Sequence, residues 1–505
     1  MDWYVTKNIR RAVPTEEIPC WPYARFYTET TEKLIEGERY HCALYFGVPA
    51  ADGRGLIFYV LLADDATGEV LLASWKYGYY DEEEVPSLTA RFPAMHPFER
   101  EITEQFGIRF SGHPFDKPLR FAQDRADRGL TLNNYPFWRA DDPSLHEVNV
   151  GPIHAGIIEP GVFRFVCNGE RIVHLEIVLG FQHRGVERLM RETGNRLRQT
   201  TLAETIAGDS AVSHAAAFCQ VAEGFAGWRC GALDAERAVA AEMERMAMHM
   251  ADTGALCMDT GYQLGQVACE ALRTMTINTT QRWCGNRFGK GLIRPFGTRF
   301  PLTPEKRELM AGNVTDIRRR YEEAGQDIFT SPSVLARFED CGTVTRQQMI
   351  RIGAVGMAAR SAGLKRDVRY THPYGAYAET VEHNPVVLEQ GDVMARAMLR
   401  YREALQSADS VLALLGREPE TDLPEPDFGR RWPGNALSFV LTEGWRGEIC
   451  HAAVTGPDGE VLAYKIKDPS LHNWYALSLA VRGAGISDFP VCNKSFDLSY
   501  CGHDL

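Results

Sequence analysis

Short apolar runs broken by charge fill the first 120 residues: HCALYFGVPA, GLIFYVLLAD and GEVLLASWKYGYY. Runs of this kind, bounded by turn residues, predict strands. The turn-like DDATGE between the second and third predicts a β-hairpin within a small α/β domain ending near Phe121. Residues 122–147 are polar and aspartate-rich, with Pro136 and Pro143, and read as a linker. From Val148 two strand-like segments, GVFRFVCNGE and RIVHLEIVLG, flank an Asn168–Gly169 turn signal. Beyond Val186 the period changes. Segments 186–198, 201–226, 234–256, 263–285, 303–324, 345–361 and 388–415 carry apolar residues at helical spacing and predict a helical core. The tail returns to strand signals, LSFVLTEGWRGEICHAAVTGPDGEVLAYKIK, with a hairpin expected around Pro457–Gly459.

The 505 residues suffice for two or three domains at about 150 residues each. An apolar fraction of 45% and a charged fraction of 24% are those of a folded chain with a sizeable core. The net charge of −12 opposes binding to phosphate backbones or anionic lipid, so nucleic acid is not an expected partner. No stretch approaches the roughly 20 apolar residues of a transmembrane helix. The opening MDWYVTKNIRRAVPTEEIPC lacks the apolar core of a secretory signal. Any membrane attachment is therefore expected through other subunits. Twelve cysteines without a CxxC pair suit a reducing compartment and isolated buried thiols, not an iron–sulfur ligand set. No GxGxxG follows a strand, which leaves NADH binding by this chain unsupported.

Residues 96–121, HPFEREITEQFGIRFSGHPFDKPLRF, resemble the signature of the complex I C-subunit family, with His96, Glu99, Arg100, Glu101, Phe106, Gly107, Ile108, His113 and Pro114 in the pattern. An isolated ERE run reads as a charged surface helix; the ordered length of the match argues otherwise. The rest of the chain resembles the D-subunit of complex I and the large subunit of group 4 membrane-bound NiFe hydrogenases, including formate hydrogenlyase. The matches are GPIHAGIIEPGVFRF, QHRGVERL, ERMAMHMADTGAL, IRPFG, ARSAGLKRDVRYTHPYGAY, GDVMARAMLRYREALQS and SFDLSYCGHDL. The resemblance implies a fusion of the two subunits: residues 1–121, the linker 122–147, and residues 148–505. It implies an α+β fold: a small α/β domain followed by a hydrogenase-large-subunit-like domain with a mainly helical core and flanking β-hairpins. The implied role is a peripheral-arm large subunit of a membrane-bound, ion-translocating oxidoreductase complex on the cytoplasmic side of the cell membrane. Its implied partners are an iron–sulfur small subunit resembling the B-subunit of complex I, carrying a 4Fe–4S cluster, a ferredoxin-like subunit and antiporter-like membrane subunits.

Active members of the hydrogenase branch hold nickel and iron with four cysteines from RxCGxC and DPCxxC motifs, because soft thiolates bridge and stabilise these metals. Alignment on His214 lays ETIAGDSAVSH over the first motif and puts Ala207 and Ser210 at its ligand positions. Alignment on Asp497 puts Ser499 and Gly502 at the other two, with Cys501 one residue out of register. A nickel–iron centre is therefore not expected, and no cofactor is assigned to this chain. The end at Leu505, without the extension that many nickel enzymes lose on maturation, agrees with that expectation. An active hydrogenase using Cys492 and Cys501 is disfavoured, since these do not form a compact pair.

The resemblance gives the RGxE glutamate a proton-carrying role, and here the motif is Arg184, Gly185 and Glu187, preceded by His183. A desolvated glutamate exchanges protons near neutrality; an isolated one at a helix start would merely complement the dipole. The quinone-facing histidine of complex I is replaced by Ile158, Glu159 or Pro160, with His154 matching the upstream histidine, and the family tyrosine falls at about Ile206. Quinone use is left open, and the Glu159–Pro160 pair looks like the hydrogenase branch. His154, His214, Asp497 and Arg360 are pocket candidates, and Glu159 a further relay candidate. Glu244, Arg245 and His249, then Arg360 with Ser361, Arg366, Asp367 and Arg369, then Asp392 with Arg396 and Arg400, read either as a buried polar network or as intrahelical ion pairs. A scaffold with a vestigial pocket is the competing function.

Overall fold

The computed structural model describes residues 2–8, 11–50, 53–78, 84–418 and 423–505. Strands β1 (Tyr4–Lys7), β2 (Val13–Pro14) and β3 (Cys20–Trp21) precede helix α1 (Tyr23–Ile35). The three apolar runs form β4 (Tyr40–Pro49), β5 (Gly55–Asp64) and β6 (Glu69–Gly78). The expected hairpin closes with Asp64 opposite Glu69. The sheet is ordered β1–β6–β5–β4, with β3 parallel to β6. Its α1 side is aromatic: Phe58 and Trp75 stack with centroids 4.6 Å apart, and Trp75 Nε1 donates to the Tyr45 hydroxyl at 3.0 Å. The short pair β7 (Val85–Pro86) and β8 (Phe110–Ser111) brackets α2 (His96–Phe106), which ends on the left-handed Gly107.

The ERE run is not a surface feature. Glu99, Arg100, Glu101 and Glu104 of α2 are all buried. Glu99 accepts bonds from the Ser87 and Thr89 hydroxyls at 2.5 and 2.6 Å and from Leu88 N at 2.7 Å, which ties α2 to the preceding loop.

The 122–147 stretch is irregular apart from a 3₁₀ turn at Leu132–Asn134, and β9 (His146–Val150) begins inside it. That strand joins the expected hairpin of β10 (Val162–Asn168) and β11 (Arg171–Val178) in the order β11–β10–β9. The segment 186–198 breaks at Gly194, whose φ is 56°, into α3 (Val186–Glu192) and α4 (Arg196–Ala203). The segment 201–226 is interrupted across residues 204–210, and only α5 (Ala211–Ala226) continues it. Long helices α6 (Gly231–Asp259), α7 (Gln263–Cys284) and α8 (Pro304–Ile328) form the expected core. Shorter pieces α9 (Pro332–Phe338), α10 (Arg346–Ile352), α11 (Gly356–Arg360) and α12 (Val368–Thr371) lead to α13 (Val393–Leu415), which packs on α6 and α8.

The tail is a three-stranded meander, one strand more than the expected hairpin. β12 (Ala436–Glu443), β13 (Glu448–Thr455) and β14 (Val461–Lys467) run antiparallel, because Gly444 to Gly447 makes a second tight turn ahead of Pro457–Gly459. Helices α14 (Ser470–Ala480), α15 (Phe489–Phe496) and α16 (Tyr500–Asp504) close the chain against β10 and α3. β2 lies outside the first sheet and pairs with β12, Val13 opposite Leu437. One apolar cluster accordingly contains Phe26, Tyr45 and Trp75 together with Leu437, Phe439 and Cys450.

Candidate functional site

Glu187 enters a partly buried cavity of about 180 Å³ at the junction of the two parts of the chain. The cavity is formed by α2, α3 and β14, and is lined by Glu101, Arg120, His183, Glu187 and Lys465. Lys465 Nζ lies 2.6 Å from Glu187 Oε2 and 2.8 Å from Glu101 Oε1, so one ammonium bridges two carboxylates. Ile466 N donates to Glu187 Oε1 at 2.9 Å. Arg120 pairs with Glu101, donates to the His503 carbonyl at 2.8 Å, and keeps a buried Nη2 without a hydrogen-bond partner among the described residues. Burial, reinforced by the Glu101 charge and opposed by Lys465, raises the Glu187 pKa. Burial also penalises the Glu101 charge, but Arg120 and Lys465 outweigh it and hold that pKa down. Two adjacent carboxyls with separated proton affinities and a shared ammonium are chemically able to exchange a proton.

The RGxE loop is fixed by backbone. Arg184 N and Val186 N both donate to the Leu505 carbonyl, at 3.0 and 3.2 Å, while Gly185 takes the left-handed conformation that turns the chain into α3. His183 Nδ1 lies 2.8 Å from the Asp504 carbonyl, and the Asp504 carboxylate accepts from Gly180 N and Gln182 N. Arg184 reaches past α3 to the carbonyls of Thr205, Ile206 and Cys501, at 2.5, 3.0 and 3.1 Å. It thereby joins the loop 204–210 to the start of α16.

Those two segments carry the four aligned positions. Ala207, Ser210, Ser499 and Gly502 are all buried. The Ser499 hydroxyl accepts from Gly502 N at 2.9 Å and caps α16. A Cβ added at Gly502 would stand 2.7 Å from Asp468 Cγ and 2.9 Å from Ser499 Oγ, so this position has no room for a side chain. Asp468 is held by His214 Nε2 at 3.1 Å, and His214 Nδ1 lies 3.0 Å from His451 Nε2.

Between the segments lies a string of charges. Arg446 grips Asp209 through both terminal nitrogens at 2.7 Å and donates to the Asp497 carbonyl. Asp497, left-handed at φ 46°, sits 3.3 Å from Lys494. Although burial penalises its charge, Lys494 and Arg446 bring its pKa down to about 2. Asp252 faces it with a pKa raised by burial and by Asp497, and pairs with Arg400 at 2.5 Å. His249 then stands between Arg400, at 3.5 Å, and Glu403, at 3.0 Å. Glu403 accepts from Arg360 and Arg369 at 2.8 and 2.6 Å, and Arg360 also meets Glu443 at 2.7 Å. Arg245 and Arg369 converge on Glu242, at 3.2 and 3.0 Å.

Of the sequence candidates, Glu187 and His183 line the cavity, Arg184 anchors the adjoining loop at the Leu505 carbonyl, and Asp497 and Arg360 lie on the charge string. Glu159 approaches Cys501, whose thiol is pushed up to about 11 by burial and that carboxylate. His154 Nε2 is spent on the Gly161 carbonyl at 2.9 Å within its own loop. His214 is buried against Asp468 rather than in the Glu187 cavity. Glu244, grouped with Arg245 and His249 by sequence, instead caps the start of α5 through Val212 N at 2.7 Å; burial brings its pKa to about 7. Asp392 caps α13 through Ala395 N at 2.7 Å, so the intrahelical Asp392–Arg396–Arg400 ladder does not form. Sequence reasoning missed Lys465, Arg120, Asp209, Arg446, Glu403 and Glu443 as members of these networks. The alternation in YKIK, which puts Lys465 and Lys467 on one face of an otherwise apolar strand, was the available signal.

Comparison with known proteins matches residues 259–433 to the family model for the 49 kDa subunit of respiratory-chain NADH dehydrogenase, and residues 27–129 to that for the 30 kDa subunit. The chain is 26% identical over 438 residues to hydrogenase-4 component G of Escherichia coli strain K12, covering 83% of this chain and 76% of that one. It is 26% identical over 481 residues to the fused C/D subunit of the NADH-quinone oxidoreductase of Phocaeicola vulgatus, covering 88% and 91%. A chain from the structure of a membrane-bound sulfane sulfur reductase, an archaeal respiratory membrane complex, shares the fold with a TM-score of 0.67 at 21% identity, covering 73% of this chain and 100% of that one.

Proposed function

From a chain that carries both the 30 kDa-type and the 49 kDa-type domain of respiratory-chain NADH dehydrogenase, we infer the peripheral large subunit of a complex I-like or membrane-bound hydrogenase-like oxidoreductase. Its part is to take up redox equivalents beside the 4Fe–4S cluster of an adjacent small subunit, and to couple them to proton or sodium movement in antiporter-like partners. No described helix is long and apolar enough to cross a membrane, so those partners and a ferredoxin-like subunit would hold it at the cytoplasmic face.

The observation that carries this reading is the Glu187–Lys465–Glu101–Arg120 unit. It is a proton-exchanging pair built at a cavity, with one carboxyl raised and the other lowered. Electron arrival changes the local field, and a carboxyl poised by burial answers by taking up or releasing a proton.

A nickel–iron centre does not fit these residues. A methyl group, two hydroxyls and a glycine replace four thiolates, the Ser499 hydroxyl is already occupied as a helix cap, and Gly502 abuts Asp468. Cys492 and Cys501 offer no substitute, since the first lies against Cys341 and the second against Ser499. The electron acceptor is a quinone or another small oxidant. His154 and Ile206 provide no free donor toward a quinone headgroup, the first being spent on Gly161 and the second apolar and buried.

The test is Glu187→Gln in the assembled complex. Loss of turnover and of coupled ion movement, with assembly intact, supports the relay. Unchanged turnover would favour a second reading, a structural scaffold, for which the charge string between the two motif segments speaks. Metal analysis of the purified complex should find iron without nickel; stoichiometric nickel would overturn the assignment.

A further inference from the structure

Away from the cavity and the motif pocket, two cysteines that stand 151 positions apart meet, with Cys341 Sγ 3.6 Å from Cys492 Sγ. Cys341 sits in the loop between α9 and α10 and is partly exposed, whereas Cys492 is buried on α15. The loop is pinned in place. Asp340 N donates to Asp392 Oδ2 at 3.0 Å, Val393 N to the Cys341 carbonyl at 2.9 Å, and Arg396 Nη2 to the Gly342 carbonyl at 3.0 Å. Gly342 has φ 62°, and a Cβ there would lie 2.5 Å from Cys492 Sγ, so the glycine is what lets the loop come this close. The buried Arg396 guanidinium acts on both sulfurs. An S–H bond from Cys492 and the Arg396 charge lower the Cys341 pKa against burial, while Cys492 is pushed up by the same contact and by burial.

We propose that Cys341 and Cys492 are a reversible dithiol–disulfide pair, with Cys341 the entry thiol and a low-molecular-weight disulfide such as oxidised glutathione the electron acceptor. The Cys341 thiolate attacks one sulfur of the small disulfide, forming a mixed disulfide and releasing one small thiol. The Cys492 thiolate then attacks Cys341 Sγ, forming the internal bond and releasing the second small thiol. Two protein thiols lose two electrons, one small disulfide gains them, and the two protons leave on the released thiols. Closing the sulfurs to bonding distance takes about 1.5 Å of approach. The bond would tie the 340–342 loop to α15, whose end carries Ser495, gripped by Arg396 at 2.8 Å, and leads into Asp497.

The experiment equilibrates the purified complex against glutathione buffers of graded oxidation, quenches with acid, alkylates, and maps peptides without reduction. The expected result is a linked peptide pair containing Cys341 and Cys492 that appears with oxidation and disappears with reduction, while Cys219, Cys257 and Cys269 stay as thiols. Cys492→Ser should trap glutathione on Cys341, and Cys341→Ser should leave Cys492 a thiol. The proposal is overturned if both cysteines of the folded complex stay reduced at every ratio, or if Cys492 accepts glutathione equally well in Cys341→Ser.

Discussion

Replacing Glu403 by Gln should cost far more than replacing Glu443 by Gln, although both carboxylates are buried against arginine in the same network. The three guanidinium groups of Arg245, Arg360 and Arg369 face four carboxyls, those of Glu242, Asp367, Glu403 and Glu443. Glu443 is the surplus one, and burial together with Asp367 raises its pKa to about 7. Glu403 is held well below the carboxylate range by Arg360, His249 and Arg369, which outweigh its burial. Gln at 403 therefore leaves buried arginines uncompensated, a change worth about 3–5 kcal/mol. Gln at 443 removes the surplus carboxyl, which burial already pushes toward its neutral form, and spoils one hydrogen bond, about 1–2 kcal/mol. Urea unfolding followed by tryptophan fluorescence at pH 7 should show the larger loss of midpoint for Glu403→Gln, at similar slope. There is a pH signature as well. A carboxyl raised from its ordinary 4.5 to about 7 keeps a proton in the folded form that the unfolded chain has released, so its contribution to stability falls as pH rises through that window. Glu244, also at about 7, acts with the same sign. Glu443→Gln should flatten part of this fall and Glu443→Gln/Glu244→Gln more of it. Equal costs for the two single variants, or an unchanged pH slope in Glu443→Gln, would refute the charge count.

Lys465→Met should abolish coupled turnover in the assembled complex while Lys465→Arg restores most of it, read as the pH profile of turnover; equal loss in both would point to packing rather than charge. Restoring cysteine at Ala207, Ser210, Ser499 and Gly502 together should not restore nickel binding by metal analysis. Gly502→Ala alone should lower the thermal midpoint through about 1–3 kcal/mol of overpacking against Asp468. Arg446→Ala takes the arginine from Asp209, leaves Asp497 with Lys494, and should make the 204–210 loop the first site of limited proteolysis.

The strands and long helices were readable because each buries a face with its own period: β4 to β6 as apolar runs, α6 to α8 as amphipathic repeats. The breaks were harder. The interruption at residues 204–210 has no proline, and tertiary bonds from Arg184, Trp445, Arg446 and Arg294 anchor it. Glu187 was visible through its motif, but its partners were not, since Lys465 lies 278 positions away and Glu101 belongs to the other part of the chain. The same distance problem hid the Cys341–Cys492 pair, which spacing alone presents as two isolated thiols. The acids Glu242, Glu403 and Glu443 look like ordinary helix or strand charges until burial makes each one answer for an arginine.

The seam between the first sheet and the meander has its own consequence. Besides apolar residues it contains His41 against Glu448 at 2.8 Å and Arg366 against Asp65 at 2.8 Å, with Lys467 of the meander behind Glu448 at 2.6 Å. Cut at the 122–147 stretch, each half would expose strong charges whose counterparts lie on the other. Separation would also bare the apolar cluster the halves share, so each half should aggregate alone and dissolve when recombined with the other. Charge thus works here as an address that pairs the two halves, independent of the peptide that joins them.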